Sequence, residues 1–141
     1  MKMLLDLRGD ALGASLAARL GWTRVEHELR AFPDGESYIR MLSDVGGAEV
    51  TVLADLARPN ARALELLLVA ATLRAQGVRR VTLVAPYLPY MRQDCAFKRG
   101  ESVSSRHFAA LLDAHFDALL TVDAHLHRYA TLDELYTTPA R

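Results

Sequence analysis

Val81-Thr82-Leu83-Val84-Ala85-Pro86-Tyr87-Leu88-Pro89-Tyr90-Met91-Arg92-Gln93-Asp94 is the stretch on which the reading of the fold turns. Its first five residues form an apolar, partly β-branched run of the length expected for a buried strand, and the two prolines end it. A polar loop follows, reaching Lys98-Arg99-Gly100-Glu101. In an open parallel sheet the strand-to-helix loops gather at the carboxyl ends of the strands, and ligands bind there. Three cations (Arg92, Lys98, Arg99), the amide of Gln93 and the carboxylates of Asp94 and Glu101 at such a place suit a phosphate or metal-phosphate ligand. A solvated charged loop fits the same local sequence.

Working outward, residues 49–53 and 118–122 read as further buried strands, and residues 3–7 as a short apolar strand near the start. Between them lie segments of helical periodicity. Asp10 is placed to cap a helix through about Leu20, with Leu12, Leu16, Ala17 and Leu20 on its buried face and Gly21 at its end. Asn60 is placed to cap a second helix running to about Gln76, closed by Gly77. That helix carries two apolar stripes, Leu64-Leu67-Leu68-Ala71 and Leu66-Val69-Leu73, so it is either covered twice or used as a subunit contact. Ser102 or Ser104 starts a third helix, with Phe108, Leu111, Leu112 and Phe116 at helical spacing. Residues 23–29 alternate polar and apolar, Pro33-Asp34-Gly35 has turn chemistry, and residues 38–41 return, which predicts a β-hairpin projecting near residues 23–41. The expectation is one α/β domain over residues 1–141: a mostly parallel sheet covered by helices on both faces. Residues 137–141 offer no element to cover the last strand.

Composition narrows the class of partner. With 17 basic and 17 acidic side chains the chain has no net field to attract nucleic acid or an anionic membrane. No apolar run approaches the roughly 20 residues needed to span a bilayer. A single cysteine, Cys95, rules out an intramolecular disulfide, and Asp6 stands where a signal peptide would have its apolar core. A cytoplasmic location is expected.

Asp123-Ala124-His125 follows the strand at 118–122, so a carboxylate and an imidazole two residues apart are placed to share a metal ion or its waters. His125 with His127 resembles a His-x-His pair, but zinc asks for at least one further ligand. Magnesium keeps several waters and leans on substrate phosphates, which fits better beside a cationic loop. Either histidine could equally be a hydrogen-bonded structural group. Phe32, between polar turn residues and near Asp34 and Glu36, could cover a flat ring whose amino group the acids accept from, or could fold back on its own hairpin. Asp55, after its strand, is either a turn acid or a metal-water ligand. Cys95 has no neighbouring base to make it a nucleophile, and Tyr87, Tyr90, Trp22 and His115 are assigned to packing.

Taken together, Phe32-Pro33-Asp34-Gly35-Glu36, Pro86 to Asp94, Phe97-Lys98-Arg99-Gly100-Glu101 and Val122-Asp123-Ala124-His125 resemble the N-terminal half of the ribose-phosphate diphosphokinases, also called phosphoribosyl pyrophosphate synthetases. The likeness runs in order along nearly the whole chain. It implies a phosphoribosyltransferase-like fold and an enzyme moving the β,γ-diphosphoryl group of magnesium ATP onto ribose 5-phosphate, in a homo-oligomer. By the resemblance, Phe32, Asp34, Gly35 and Glu36 would frame the adenine, reaching into a neighbouring subunit's site. Arg92, Gln93 and Asp94 would hold the nucleotide and its phosphates, with Lys98 and Arg99 as further phosphate contacts. His125 would bind Mg2+, supported by Asp123. Such transfer depends on positioning and charge neutralisation more than on a protein nucleophile.

The chain departs from the pattern at two points. Cys95-Ala96 stands where the family often has basic residues. The family's second domain, with its loop of two acids followed by threonines and glycines that holds ribose 5-phosphate and its catalytic Lys/Arg loop, is not found in these residues. The chain is expected to be a fragment, a cleaved product or a half-length relative, inactive alone, with its catalytic groups in the missing domain. The alternatives are a non-catalytic regulatory subunit that binds nucleotide or phosphate, and a metal hydrolase built on Asp123, His125 and His127.

Overall fold

A computed structural model of the chain describes residues 1–7 and 11–141. Asp10, expected to cap the first helix, lies outside the described residues. In chain order the elements are β1 (Lys2–Asp6), α1 (Ala11–Leu20), β2 (Thr23–Arg24), β3 (His27–Ala31), β4 (Ser37–Met41), β5 (Glu49–Leu53), α2 (Pro59–Ala75), β6 (Arg80–Val84), α3 (Ser104–Asp113), β7 (Ala118–Leu120) and a 3-10 turn at Leu132–Glu134.

Five strands form one parallel sheet in the order β2-β1-β5-β6-β7, and β3 and β4 form a separate antiparallel pair. Right-handed crossovers put a helix on opposite faces when the chain steps in opposite directions along a sheet. The step from β1 to β2 therefore sends α1 to one face, and the steps β5 to β6 to β7 send α2 and α3 to the other. Side-chain alternation agrees. Met3, Leu5, Val50, Val52, Val81 and Leu83 join the main core with α2 and α3, whereas Leu4 and Leu53 join Ala17 under α1. The expected α/β architecture with helices on both faces is what the chain adopts.

Local expectations differ from the structure in four places. In α1 Ala17 is buried and Leu16 partly buried as expected, but Leu12 and Leu20 are exposed and Gly13 is buried instead. Small residues bring the helix close to β1, and a Cβ on Gly13 would overlap the Asp6 carboxylate. In α2 the first turn is set by Pro59, whose missing N–H costs nothing there, and Asn60 is inside the helix rather than its cap. The stripe Leu66, Val69, Ala70 and Leu73 is buried, but Leu64 and Leu68 of the other stripe stay exposed. Residues 23–29 are not one strand: Thr23–Arg24 extends the parallel sheet beside β1, Val25 donates to Leu4 O at 2.8 Å, and only from His27 does the hairpin begin. Buried Val25 forces that break, since its side chain must enter the core before the ribbon leaves it.

The fourth difference is at the outer edge. Residues 139–141 run alongside β7, with Leu119 N–H donating to Pro139 O at 2.9 Å and Arg141 N–H to Leu119 O at 3.0 Å. Asp113 clasps this strap through four bonds, from the N–H and hydroxyl of Thr137 (both 2.7 Å) and of Thr138 (3.3 and 2.8 Å). Burial alone would push the Asp113 carboxyl up, but these four donors outweigh it and hold it below its ordinary value. Among the described residues no helix is long and apolar enough to cross a membrane.

Candidate functional site

The loops that leave β6 and β7 run side by side because the sheet ladder continues past both strands. Ala85 N–H donates to Leu120 O at 2.9 Å, and Val122 and Asp123 N–H share Pro86 O at 3.3 Å. Tyr87 and Asp123 form a parallel bridge beyond the strands. The two strand-end segments therefore diverge as a pair, and the space between them is an open cleft of about 410 Å³ lined by Arg92, Asp94, Phe97, His125, His127 and Arg128.

Three of those side chains come from each loop. Arg92 is exposed, Asp94 is buried, and the side chain of Arg128 is about half-exposed. Asp94 Oδ1 accepts from Arg128 Nη1 at 2.7 Å, an ion pair that ties the two loops across the base of the cleft. Tyr129 reinforces the tie, since its hydroxyl donates to Asp94 O at 3.3 Å and sits 3.3 Å from Ser105 Oγ at the start of α3. Gln93 O accepts from Ser105 N–H, so the residue after Arg92 is fixed to the helix that follows.

His125 owes its position to backbone geometry. Asp123 Oδ1 accepts the His125 N–H at 2.9 Å, and His125 takes a φ of 47°, in the left-handed region where histidine is among the more tolerated residues. The bond from Asp123 goes to the backbone, not to the imidazole. His125 and His127 meet with their Nε2 atoms 3.0 Å apart, one ring donating and the other accepting. Tyr90 is the other non-glycine residue with positive φ among the described residues, at 64°. Its ring packs on Phe108 with centroids 4.8 Å apart, and its hydroxyl donates to Asn60 Oδ1. Left-handed non-glycine residues cluster where a fold holds functional groups in place, and here both lie on the two loops of the cleft.

Lys98 and Arg99 are exposed on the same β6 loop, whose turn is closed by Glu101 Oε2 accepting the Phe97 and Lys98 N–H groups at 2.8 and 3.0 Å. Neither cation lines the cleft itself. Asp55 accepts from Ala57 N–H at 3.0 Å and acts as a turn acid.

The hairpin residues are elsewhere. Phe32 N–H donates to Glu36 O at 2.7 Å, Gly35 N–H to Phe32 O at 2.9 Å, and Asp34 Oδ1 accepts from Glu36 N–H at 3.1 Å. Gly35 has φ 92°, which explains the glycine. Phe32 makes an edge contact with Tyr38, Arg30 lies over both rings, and Phe32 remains 39% exposed. None of Phe32, Asp34, Gly35 and Glu36 lines the cleft of Arg92 and His125 in the same chain. A larger cavity of about 720 Å³ opens at the foot of the hairpin, where strand order reverses between β1 and β5. Of the arginines that line it, Arg62 pairs with Glu65 at 2.8 Å and Arg30 with Glu28 at 3.2 Å, and the acids Asp6, Glu26 and Glu65 line it beside Arg24. In the smaller cleft Arg92 is exposed, and Arg128, paired with Asp94, keeps its side chain about half in solvent.

Sequence reasoning overlooked Arg128 and Phe97 as cleft residues. Arg128 lies three positions beyond His125, and without Asp94 opposite it nothing marks it out; Phe97 reads as an ordinary loop aromatic.

The family model for the N-terminal domain of ribose phosphate pyrophosphokinase matches residues 1–115. The chain belongs to that family. Among curated relatives, the ribose-phosphate pyrophosphokinase of Methanothermobacter thermautotrophicus is 39% identical over 132 residues, covering 92% of this chain and 45% of the relative. That of Thermoplasma acidophilum is 32% identical over 125 residues, covering 89% and 43%. The crystal structure of phosphoribosylpyrophosphate synthetase from Mycobacterium smegmatis superposes with a TM-score of 0.86 at 28% identity, over 99% of this chain and 47% of that one. The chain thus spans less than half the length of the ribose-phosphate pyrophosphokinases it matches.

Proposed function

We propose that this chain is the ATP- and magnesium-binding half of a ribose-phosphate pyrophosphokinase, and that the polyphosphate of a magnesium nucleotide rests in the cleft between the β6 and β7 loops. The observation that carries this reading is that Arg92 and His125, from loops after adjacent parallel strands, line one cavity. A guanidinium on one wall suits phosphate oxygens, and an imidazole on the other suits a metal or its waters. Gln93 and Asp94 belong to the same reading, Gln93 as a donor beside Arg92 and Asp94 as the buried acid beneath the site. Lys98 and Arg99 extend positive charge along the loop outside.

The donor set fits magnesium brought in on the nucleotide rather than a resident ion. Among the described residues no group of three or more His, Cys, Asp or Glu is arranged to hold a metal, so water and phosphate oxygens would complete the shell around His125, as magnesium prefers. When bound, the ion would neutralise charge on the phosphates. Asp123, by fixing the His125 backbone, keeps the imidazole at the cleft. This geometry leaves little support for the hydrolase reading, which needs the carboxylate and both imidazoles on one ion.

In the same proposal Phe32, Asp34, Gly35 and Glu36 serve the adenine of a neighbouring subunit, and the exposed stripe of Leu64 and Leu68 suits assembly into a homo-oligomer. Ribose 5-phosphate and the catalytic step are assigned to a second domain like the one its longer relatives have room for. Isothermal calorimetry with ATP, with and without magnesium, tests the reading: binding that strengthens with the metal is expected, and a flat titration to about 10 mM, a dissociation free energy below roughly 3 kcal/mol, overturns it. Residues 1–141 alone should release no AMP from ATP and ribose 5-phosphate. Should the chain regulate full-length subunits instead, it would bind nucleotide and change their turnover without adding its own.

A further inference from the structure

The β6 loop carries no cation between Asp94 and Lys98, because Cys95, Ala96 and Phe97 fill those positions. Arg92 is therefore the one cation that this loop contributes to the lining of the cleft. The opposite wall supplies another. We propose that Arg128 is a further phosphate-binding residue of this site, held in position by Asp94, so that the anion is gripped from both loops. The inference rests on the polyphosphate reading above and names a residue which that reading did not use.

Three features of Arg128 carry it. First, the side chain lines the cleft together with Arg92 and His125. Second, it is held at two points: Nη1 donates to Asp94 Oδ1 at 2.7 Å, and the guanidinium carbon lies 5.1 Å from the centre of the Phe97 ring. A guanidinium has five N–H donors in a rigid fork. The bond to Asp94 uses one of them, and the side chain is 53% exposed, so donors remain for a ligand. Third, the side-chain bond that Asp94 makes is to Arg128. The Asp94 side chain is 1% exposed, and its Oδ2 is buried without a hydrogen-bond partner. A buried carboxylate is expensive unless a cation answers it, and an ion pair that merely stabilised the fold would gain little from leaving its cation half in solvent. Fixing an arginine before the ligand arrives lowers the entropy lost on binding. Asp94 is in this account a positioning residue, acting through Arg128, and Phe97 is the platform under the guanidinium.

The test uses the full chain and three probes: magnesium ATP, magnesium tripolyphosphate, which lacks the base and sugar, and AMP. Arg128→Ala should weaken ATP and tripolyphosphate by about tenfold to a hundredfold, the range for losing a charge-assisted bond, and AMP by less than about threefold. Arg128→Lys keeps a charge opposite Asp94, so it guards against misfolding in the alanine variant, and should lose the fork and weaken the two polyphosphates by about threefold to tenfold. Asp94→Asn should weaken ATP more than AMP and make ATP affinity more salt-dependent, as an untethered arginine acts more as a diffuse charge. If wild-type chain binds tripolyphosphate and both Arg128 variants bind it equally well, the proposal is wrong. Equal losses for ATP and AMP would also overturn it, since they mark a structural role. Wild-type chain that binds neither polyphosphate sinks the site itself, which is a different failure.

Discussion

The hairpin tip and the cleft are both predicted from short polar motifs, yet they are built in opposite ways. The tip closes on itself: its bonds join Phe32, Asp34, Gly35 and Glu36 to one another, and none of its side chains lines the cleft. The cleft is made from two loops distant in sequence, locked by an ion pair with a buried acid and two left-handed residues. One is a self-contained projection, and the other is a junction. A projection can serve a site on another molecule, whereas a junction forms its site where it stands. The two halves of the proposed nucleotide site should thus respond differently to mutation in an isolated chain.

The largest contrast is expected at Arg92. Arg92→Ala should weaken magnesium ATP binding by about 2–3 kcal/mol, the loss of a charged donor from a phosphate contact, with the thermal unfolding midpoint almost unchanged because the side chain is exposed. Calorimetry and a melting curve on the same sample check both halves of that statement. Gly35→Val tests the other region. With φ at 92° a β-branched side chain is strained there by about 1–2 kcal/mol. Hydrogen exchange should quicken in residues 27–41 while nucleotide affinity holds, and a matching loss of affinity would show that the two regions are coupled within one chain.

A smaller effect is expected from acid. Asp113 is held below its ordinary value of 3.8 in the folded chain. A depressed carboxyl contributes stability that is complete above the unfolded value and fades as pH falls through the folded one. The strap along β7 should therefore be firm at neutral pH and loosen only below about pH 3.8, and Asp113→Asn should loosen it at neutral pH, by about 1 kcal/mol, with the difference from wild type fading in acid. Exchange of the Leu119 and Thr121 amides against pH reads this directly. The smallest effect belongs to Phe32→Ala: within about 0.5 kcal/mol on both stability and nucleotide affinity of the isolated protomer. If Phe32 serves a neighbouring subunit, the same variant should lose affinity only once the protein is assembled, which light scattering alongside calorimetry would separate.

Periodicity made the sheet legible. The runs at 49–53 and 81–85 are continuous because parallel strands are covered on both faces, and that alone points to the α/β class. The strand ends then located Arg92 and His125 without any contact information. What escaped were features that periodicity does not encode. In α1 Ala17 and Leu16 meet the sheet as periodicity suggests, but Gly13 is buried in place of the expected Leu12 and Leu20, because close approach to Asp6 matters more there than apolar area. Thr23–Arg24 and residues 139–141 pair with the sheet through so few residues that no alternation can develop. Arg128 escaped for another reason: its meaning depends on Asp94, 34 positions away, and no local pattern links the two. Asp94 itself reads in sequence as one acid of a polar loop, and only its burial shows it to be a foundation.

The strap has a consequence for handling the molecule. A three-residue strand at the margin of a parallel sheet, ending in exposed Leu120 and followed by exposed Val122, is open to addition of a foreign extended peptide. Ala140 already occupies that berth, so an intruder must first evict residues 137–141. Whether concentrated samples stay clear or turn to fibrils should depend less on the core than on two threonines gripping one aspartate.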